Sequence, residues 1–113
     1  NLTENANAYV IHDLDILQVI NELRDAGAEA ISLNGERVVS TSEVRCAGST
    51  VSINNNRYAA PFVIKAIGDP TNLENALLMR NGVIDSLTFY GINAEVKKIS
   101  TMKIGPYTGA LNY

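Results

Sequence analysis

Two stretches of the chain follow one plan: "LRDAGAEAISL" at residues 23–33 and "LTFYGINAEVK" at residues 87–97. In each, a leucine (Leu23, Leu87) closes an apolar helical run, and a glycine follows four residues later (Gly27, Gly91). An alanine then falls at the same offset in an alternating run (Ala30, Ala94). Glycine past a helix end supplies the left-handed residue that stops it, and a period of two fits a strand. Two helix–glycine–strand units separated by hairpins predict two βαβ halves. The expected fold class is α+β: a ferredoxin-like alpha-beta plait with an antiparallel sheet, helices on one face and an extra β-hairpin.

Outward from the first unit, Ile16, Val19, Ile20 and Leu23 make an apolar stripe at helical spacing, predicting a helix over Asp13–Ala26. Asp13 is the expected N-cap, with Asp15 placing negative charge in the first turn. Asn34-Gly35 is the strongest hairpin signal, because a type I′ turn needs positive φ at both central positions. It predicts strands at Glu29–Leu33 and Glu36–Ser40. A second hairpin is expected around Asn54-Asn55-Asn56, between Thr50–Ile53 and Arg57–Ala59, with Val44–Cys46 as a short strand beside it. The first half lacks an obvious leading strand. Either "AYVI" at residues 8–11 serves, or the strand lies upstream of residue 1.

Outward from the second unit, Phe62–Ile67 reads as a buried strand and ends at Gly68. Asp69-Pro70 then predicts a helix start: the carboxylate caps, and proline suits a position whose N–H has no intrahelical partner. A phosphate-gripping loop is disfavoured, because Asp69 would repel an anion and no GxGxxG or Walker pattern surrounds it. Helical pieces from Pro70 to about Met79 and over Val83–Tyr90 lead into an expected strand at Ala94–Ile99. The tail reads as irregular.

The 113 residues, 46% hydrophobic and 19% charged, suit one domain over 1–113, with loose termini at 1–7 and 108–113. A net charge of −3 gives no nucleic-acid footprint. A single cysteine and a single histidine exclude an internal disulfide and a cysteine-based or two-histidine metal site, and no cofactor is called for. No apolar run approaches the roughly 18 residues of a membrane span.

The stretches "AYVIHDLDILQVINELRDAGAEAISLNGERVVSTSEVRCAG" and "YAAPFVIKAIGDPTNLENAL" closely resemble a bacterial family of uncharacterised proteins, the YlxW/YlxX-like family. It is known as domain of unknown function 881 and as the UPF0749 type. The resemblance spans roughly residues 8–107. It implies an alpha-beta plait, and a parent protein with an N-terminal membrane segment and a coiled coil. The domain would then lie outside the cytoplasmic membrane, in a bacterium where neighbouring genes concern cell division. The resemblance brings no activity and no catalytic residues.

Candidate chemistry is sparse. Cys46 beside Arg45 has the makings of a nucleophile, but strand neighbours diverge, His12 is distant in sequence, and a buried inert thiol is the expectation. His12-Asp13 and the pair Asp85 and Glu95 lack the spacing of a nucleophile, base and orienter acting together. The chain reads as non-enzymatic. The candidate binding residues are Ser42, Glu43, Arg45, Arg57 and Tyr58, a polar segment and the hairpin after it, since Arg and Tyr are common interaction anchors. The competing reading is a solvated turn with local Ser/Thr hydrogen bonds. Two functions follow: a protein-interaction domain, with a protein partner or a second copy in a weak homodimer, or a small-molecule sensor. Membrane contact is expected only through an upstream segment.

Overall fold

The computed structural model describes residues 11–99 and 101–107. Three helices, α1 (Asp13–Asp25), α2 (Pro70–Leu77) and α3 (Val83–Phe89), combine with six strands in two antiparallel sheets. The first sheet contains β1 (Ala30–Leu33), β2 (Glu36–Val38) and β6 (Ile64–Ile67) in the order β2-β1-β6. The second contains β3 (Val44–Ala47), β4 (Thr50–Ile53) and β5 (Asn56–Ala59) in the order β3-β4-β5.

The α1 helix forms where the apolar stripe places it. Ile16, Val19, Ile20 and Leu23 are buried, and Gly27 takes φ +95° just past the helix. The N-cap is His12 rather than Asp13, one residue earlier than expected: Asp15, in the first turn, accepts from the His12 backbone N–H at 2.9 Å. Asp69 caps α2 as expected, accepting from the backbone N–H groups of Thr71 at 2.9 Å and Asn72 at 3.3 Å.

The Asn34-Gly35 turn has φ +48° and +86°, the double positive φ that the hairpin demands. It sets the register Leu33↔Glu36, Ser32↔Arg37 and Ile31↔Val38. Across the sheet, Ile31 pairs with Ala66 and Leu33 with Ile64. Ile31, Leu33 and Val38 thus share an inner face and join one core cluster with the α1 stripe. Val44, Val51 and Ile53 of the second sheet, Leu73 of α2 and Leu87 of α3 complete that cluster.

The expected extra hairpin forms, together with β3, a small sheet of its own. Two expectations change. The second hairpin turns on two residues, Asn54-Asn55, with Asn56 already in β5. Ala94–Ile99 is not a strand, although Ile92, Ala94 and Val96 are half-buried and Asn93, Glu95 and Lys97 exposed. Alternation alone makes no ladder: a strand needs a neighbouring edge, and among the described residues none pairs with this run. Of the leading-strand candidate only Ile11 is among the described residues, and both termini expected to be loose lie outside them.

Candidate interaction surface

Strand parity decides which candidate residues meet. In the second sheet Arg45 pairs with Ser52, and Ser52 with Arg57. The three form one cross-strand row on the outer face, two cations flanking a small hydroxyl. Glu43, two residues before Arg45, lies beside it, with its Oε2 3.2 Å from Arg45 Nε. Both side chains are largely exposed.

Tyr58 belongs to the other face, paired with Val51 and through it with Cys46. Its hydroxyl donates to Glu36 Oε1 at 2.9 Å, and Asn56 Nδ2 donates to the same oxygen at 2.6 Å. Asn54 Nδ2 donates to the Arg37 carbonyl at 3.1 Å and reaches Glu36 Oε2 at 3.5 Å. The Glu36 carboxylate, set by the first hairpin, therefore latches the second hairpin onto the first sheet. Desolvation, then the hydrogen bond and the negative charge of Glu36, push the Tyr58 hydroxyl above its usual range. Ser42 makes a local turn, its Oγ accepting from the Val39 N–H at 2.9 Å and its own N–H donating to the Val39 carbonyl. Glu43, Arg45 and Arg57 thus come together, whereas Tyr58 faces inward and Ser42 closes a turn.

Cys46 is exposed, contrary to expectation. It shares a face with buried Val51, but it sits on the edge strand β3, close to the Gly48 turn. Among the described residues, no group of three or more His, Cys, Asp or Glu side chains is placed to hold a metal ion. None of the helices described is long and apolar enough to cross a membrane.

One feature had no counterpart in the sequence reading, and a second bears on the leading strand that is not obvious in the sequence. Phe89 is 84% exposed at the end of α3, edge-on to Tyr90 with ring centroids 5.4 Å apart. With Asn81, Asp85 and Ser86 these rings line a shallow, open groove. The available signal was helical phase, since Phe89 lies away from the Val83, Ile84 and Leu87 side that packs on the core.

The second feature is the edge of β6. The Asn34 N–H donates to the Val63 carbonyl at 2.8 Å and the Glu29 N–H to the Ile67 carbonyl at 2.7 Å. Alternation then turns the backbone groups of Val63, Lys65 and Ile67 toward β1, and those of Ile64 and Ala66 outward. Among the described residues, nothing pairs with that outer side. The strand has no proline, and the Lys65 side chain stands on the outer face opposite Ser32.

The sequence profile described as "Bacterial protein of unknown function (DUF881)" matches residues 1–113. The chain is 37% identical over 103 residues to UPF0749 protein YlxW of Bacillus subtilis, covering 91% of this chain and 45% of that protein. It is 33% identical over 92 residues to UPF0749 protein Rv1823 of Mycobacterium tuberculosis, covering 77% of this chain and 29% of that one. The chain thus spans less than half of either relative. A crystal structure of an uncharacterized conserved protein from Mycobacterium tuberculosis superposes with a TM-score of 0.67 at 26% identity, covering 83% of this chain and 78% of the other. By the full-length profile match and this degree of identity, the chain belongs to the DUF881 family, whose function is unknown.

Proposed function

We propose that this chain is a non-enzymatic protein-interaction domain that works by adding a strand at an open sheet edge. The observation that carries this reading is the outer side of β6, a row of backbone donors and acceptors that nothing pairs with among the described residues. We read the β1–β6 pair as the middle of a ferredoxin-like plait whose next strand position is filled by another segment, including a second copy in a weak homodimer. The outer row Arg45–Ser52–Arg57, with Glu43 beside it, is a second contact surface suited to an acidic partner. Following the family resemblance, the parent is a membrane-anchored bacterial protein that displays this domain outside the membrane, in cell-envelope or division assembly.

The sensor reading draws less support. A small-molecule site is normally enclosed and largely apolar, whereas the groove at Phe89 and Tyr90 is shallow and open. A photocrosslinking residue placed at Lys65 of the full-length parent, in a Gram-positive cell, tests the proposal. Adducts with defined envelope or division proteins, or with the parent itself, are expected from Lys65 and absent from exposed Gln18 on α1. Equal yields from both positions, or none from Lys65, would count against the edge.

A further inference from the structure

The chain carries a segment complementary to the β6 edge that is left unpaired among the described residues. Two runs, residues 92–96 ("INAEV") and residues 102–104, place apolar residues at alternate, half-buried positions with no strand partner among the described residues; the first has an acid, Glu95, between its apolar residues, the second a base, Lys103. Only the N–H of Ile92, which donates to the Leu87 carbonyl, has a backbone hydrogen bond among them. Within the 92–96 run, Ala94-Glu95-Val96 reads apolar–acidic–apolar, and the β6 edge reads Ile64-Lys65-Ala66, apolar–basic–apolar.

We propose that two copies of this domain associate by exchanging this segment, residues 92–96 of each adding antiparallel to β6 of the other. The inference rests on the strand-edge reading above and specifies the partner and the register. Because Ile64 and Ala66 turn their backbone groups outward, they form the hydrogen-bonded pairs, with Val96 and Ala94 of the other copy. Lys65 then faces Glu95 in the non-hydrogen-bonded pair between them, where opposed side chains come closest. Val96 and Ala94 join the inner face with Ile64 and Ala66, and the two charges remain on the outer face.

Charge favours the segment over a self-pairing of β6. A two-fold pairing of β6 with its own copy, centred on Lys65, sets Lys65 against Lys65, and like charges directly opposite are unfavourable. Pairing with 92–96 sets Lys65 against Glu95 instead. Glu95 can make that contact: among the described residues its ion pair is with Lys97 at 3.9 Å, and both side chains are largely exposed. Reciprocity also closes the assembly, since each copy supplies one edge and one segment.

The test uses the 113-residue chain in sedimentation equilibrium over a wide concentration range. A dimer is expected, with Lys65→Glu or Glu95→Lys alone weakening association roughly tenfold, because two cross-strand pairs are reversed per dimer. The double variant, with the charges exchanged, is expected to restore it. A dimer indifferent to both single reversals would overturn the exchange while leaving strand-edge association standing. A chain monomeric at every concentration would remove both. Because charge reversal can disturb folding, cysteines provide an independent readout in a Cys46→Ser background. A hydrogen-bonded pair places its Cα atoms about 5.5 Å apart, within disulfide reach. Mixing Ala66→Cys chains with Ala94→Cys chains is expected to give a disulfide-linked heterodimer. A disulfide that forms only inside a chain carrying both cysteines would show that the segment fills its own edge, and the proposal would fall.

Discussion

The Tyr58 hydroxyl donates to Glu36 Oε1 at 2.9 Å, 22 residues away in sequence, and this bond ties the two sheets together. Glu36 also takes the Asn56 amide, so one carboxylate holds two donors of the same strand. Hydrogen bonds to a charged acceptor are worth more than neutral ones, but this site is only half-buried. Glu36→Ala is expected to cost about 2 kcal/mol and Tyr58→Phe about 1 kcal/mol. Urea denaturation of both variants and their double mutant checks this. A coupling energy near zero would mean that the latch does not act as a unit.

The same contact sets a pH dependence. Burial and the Glu36 carboxylate raise the Tyr58 hydroxyl above the ordinary value of 10.0. The stabilisation is therefore fully present below the ordinary tyrosine range and is lost as pH rises through the higher folded value. The expected result is a late component in the alkaline absorbance titration of the five tyrosines that Tyr58→Phe removes. Glu36→Gln should move that component earlier, since the negative charge behind part of the shift is gone.

How far the sequence could be read follows from range. The Asn34-Gly35 turn and the Asp69-Pro70 helix start were legible because each is a local steric demand met by two adjacent residues. The outer-face row was not. Reading Asn54-Asn55-Asn56 as the second turn left the register of β5 open, and a slip of one residue moves every side chain to the opposite face. With the observed two-residue turn, Arg57 joins Arg45 on the outer face and Tyr58 turns inward. The Glu36 latch spans 18 to 22 residues, a distance over which no local pattern applies. The 94–99 run alternates as a strand should, yet its ladder depends on an edge that the local sequence does not encode.

The Asp69 side chain caps two N–H groups at the start of an eight-residue helix. Asp69→Ala is expected to cost about 1 kcal/mol, and Asp69→Asn to retain most of that, because an amide oxygen also caps. Thermal unfolding distinguishes them. Equal losses from both would assign the stabilisation to charge at the helix end instead of the hydrogen bonds.

Exposure of Cys46 reverses the expected behaviour of its thiol. A thiol reagent added to the folded chain should label it with no denaturant present. Cys46→Ser should shift stability by no more than about 0.5 kcal/mol, as an exposed position with no buried contacts to lose. Labelling that waits for unfolding would place the side chain inside the core.

Gly68 joins β6 to α2 at a point where two backbones nearly touch. A Cβ there would lie 3.2 Å from the Gly27 carbonyl oxygen, 3.2 Å from Leu73 Cδ1 and 3.4 Å from Ala28 Cα. None of these neighbours yields cheaply. Gly27 and Ala28 follow α1 in a turn fixed by the bonds from the Ala28 N–H to the Leu23 carbonyl and from the Glu29 N–H to the Ile67 carbonyl. Leu73 is 7% exposed and belongs to the core. Gly68 is therefore the place where the first helix–glycine–strand unit rests on the start of the second helical region, and its lack of a side chain lets them meet. Gly68→Ala is expected to destabilise the fold by about 1 to 3 kcal/mol, the usual range for overpacking. Gly105→Ala, where a Cβ meets nothing within 4 Å, is the control and should stay within about 0.5 kcal/mol. Urea midpoints at constant m-value read the difference directly. A Gly68→Ala chain as stable as the control would mean that the α1–β1 turn does not pack on the β6–α2 junction.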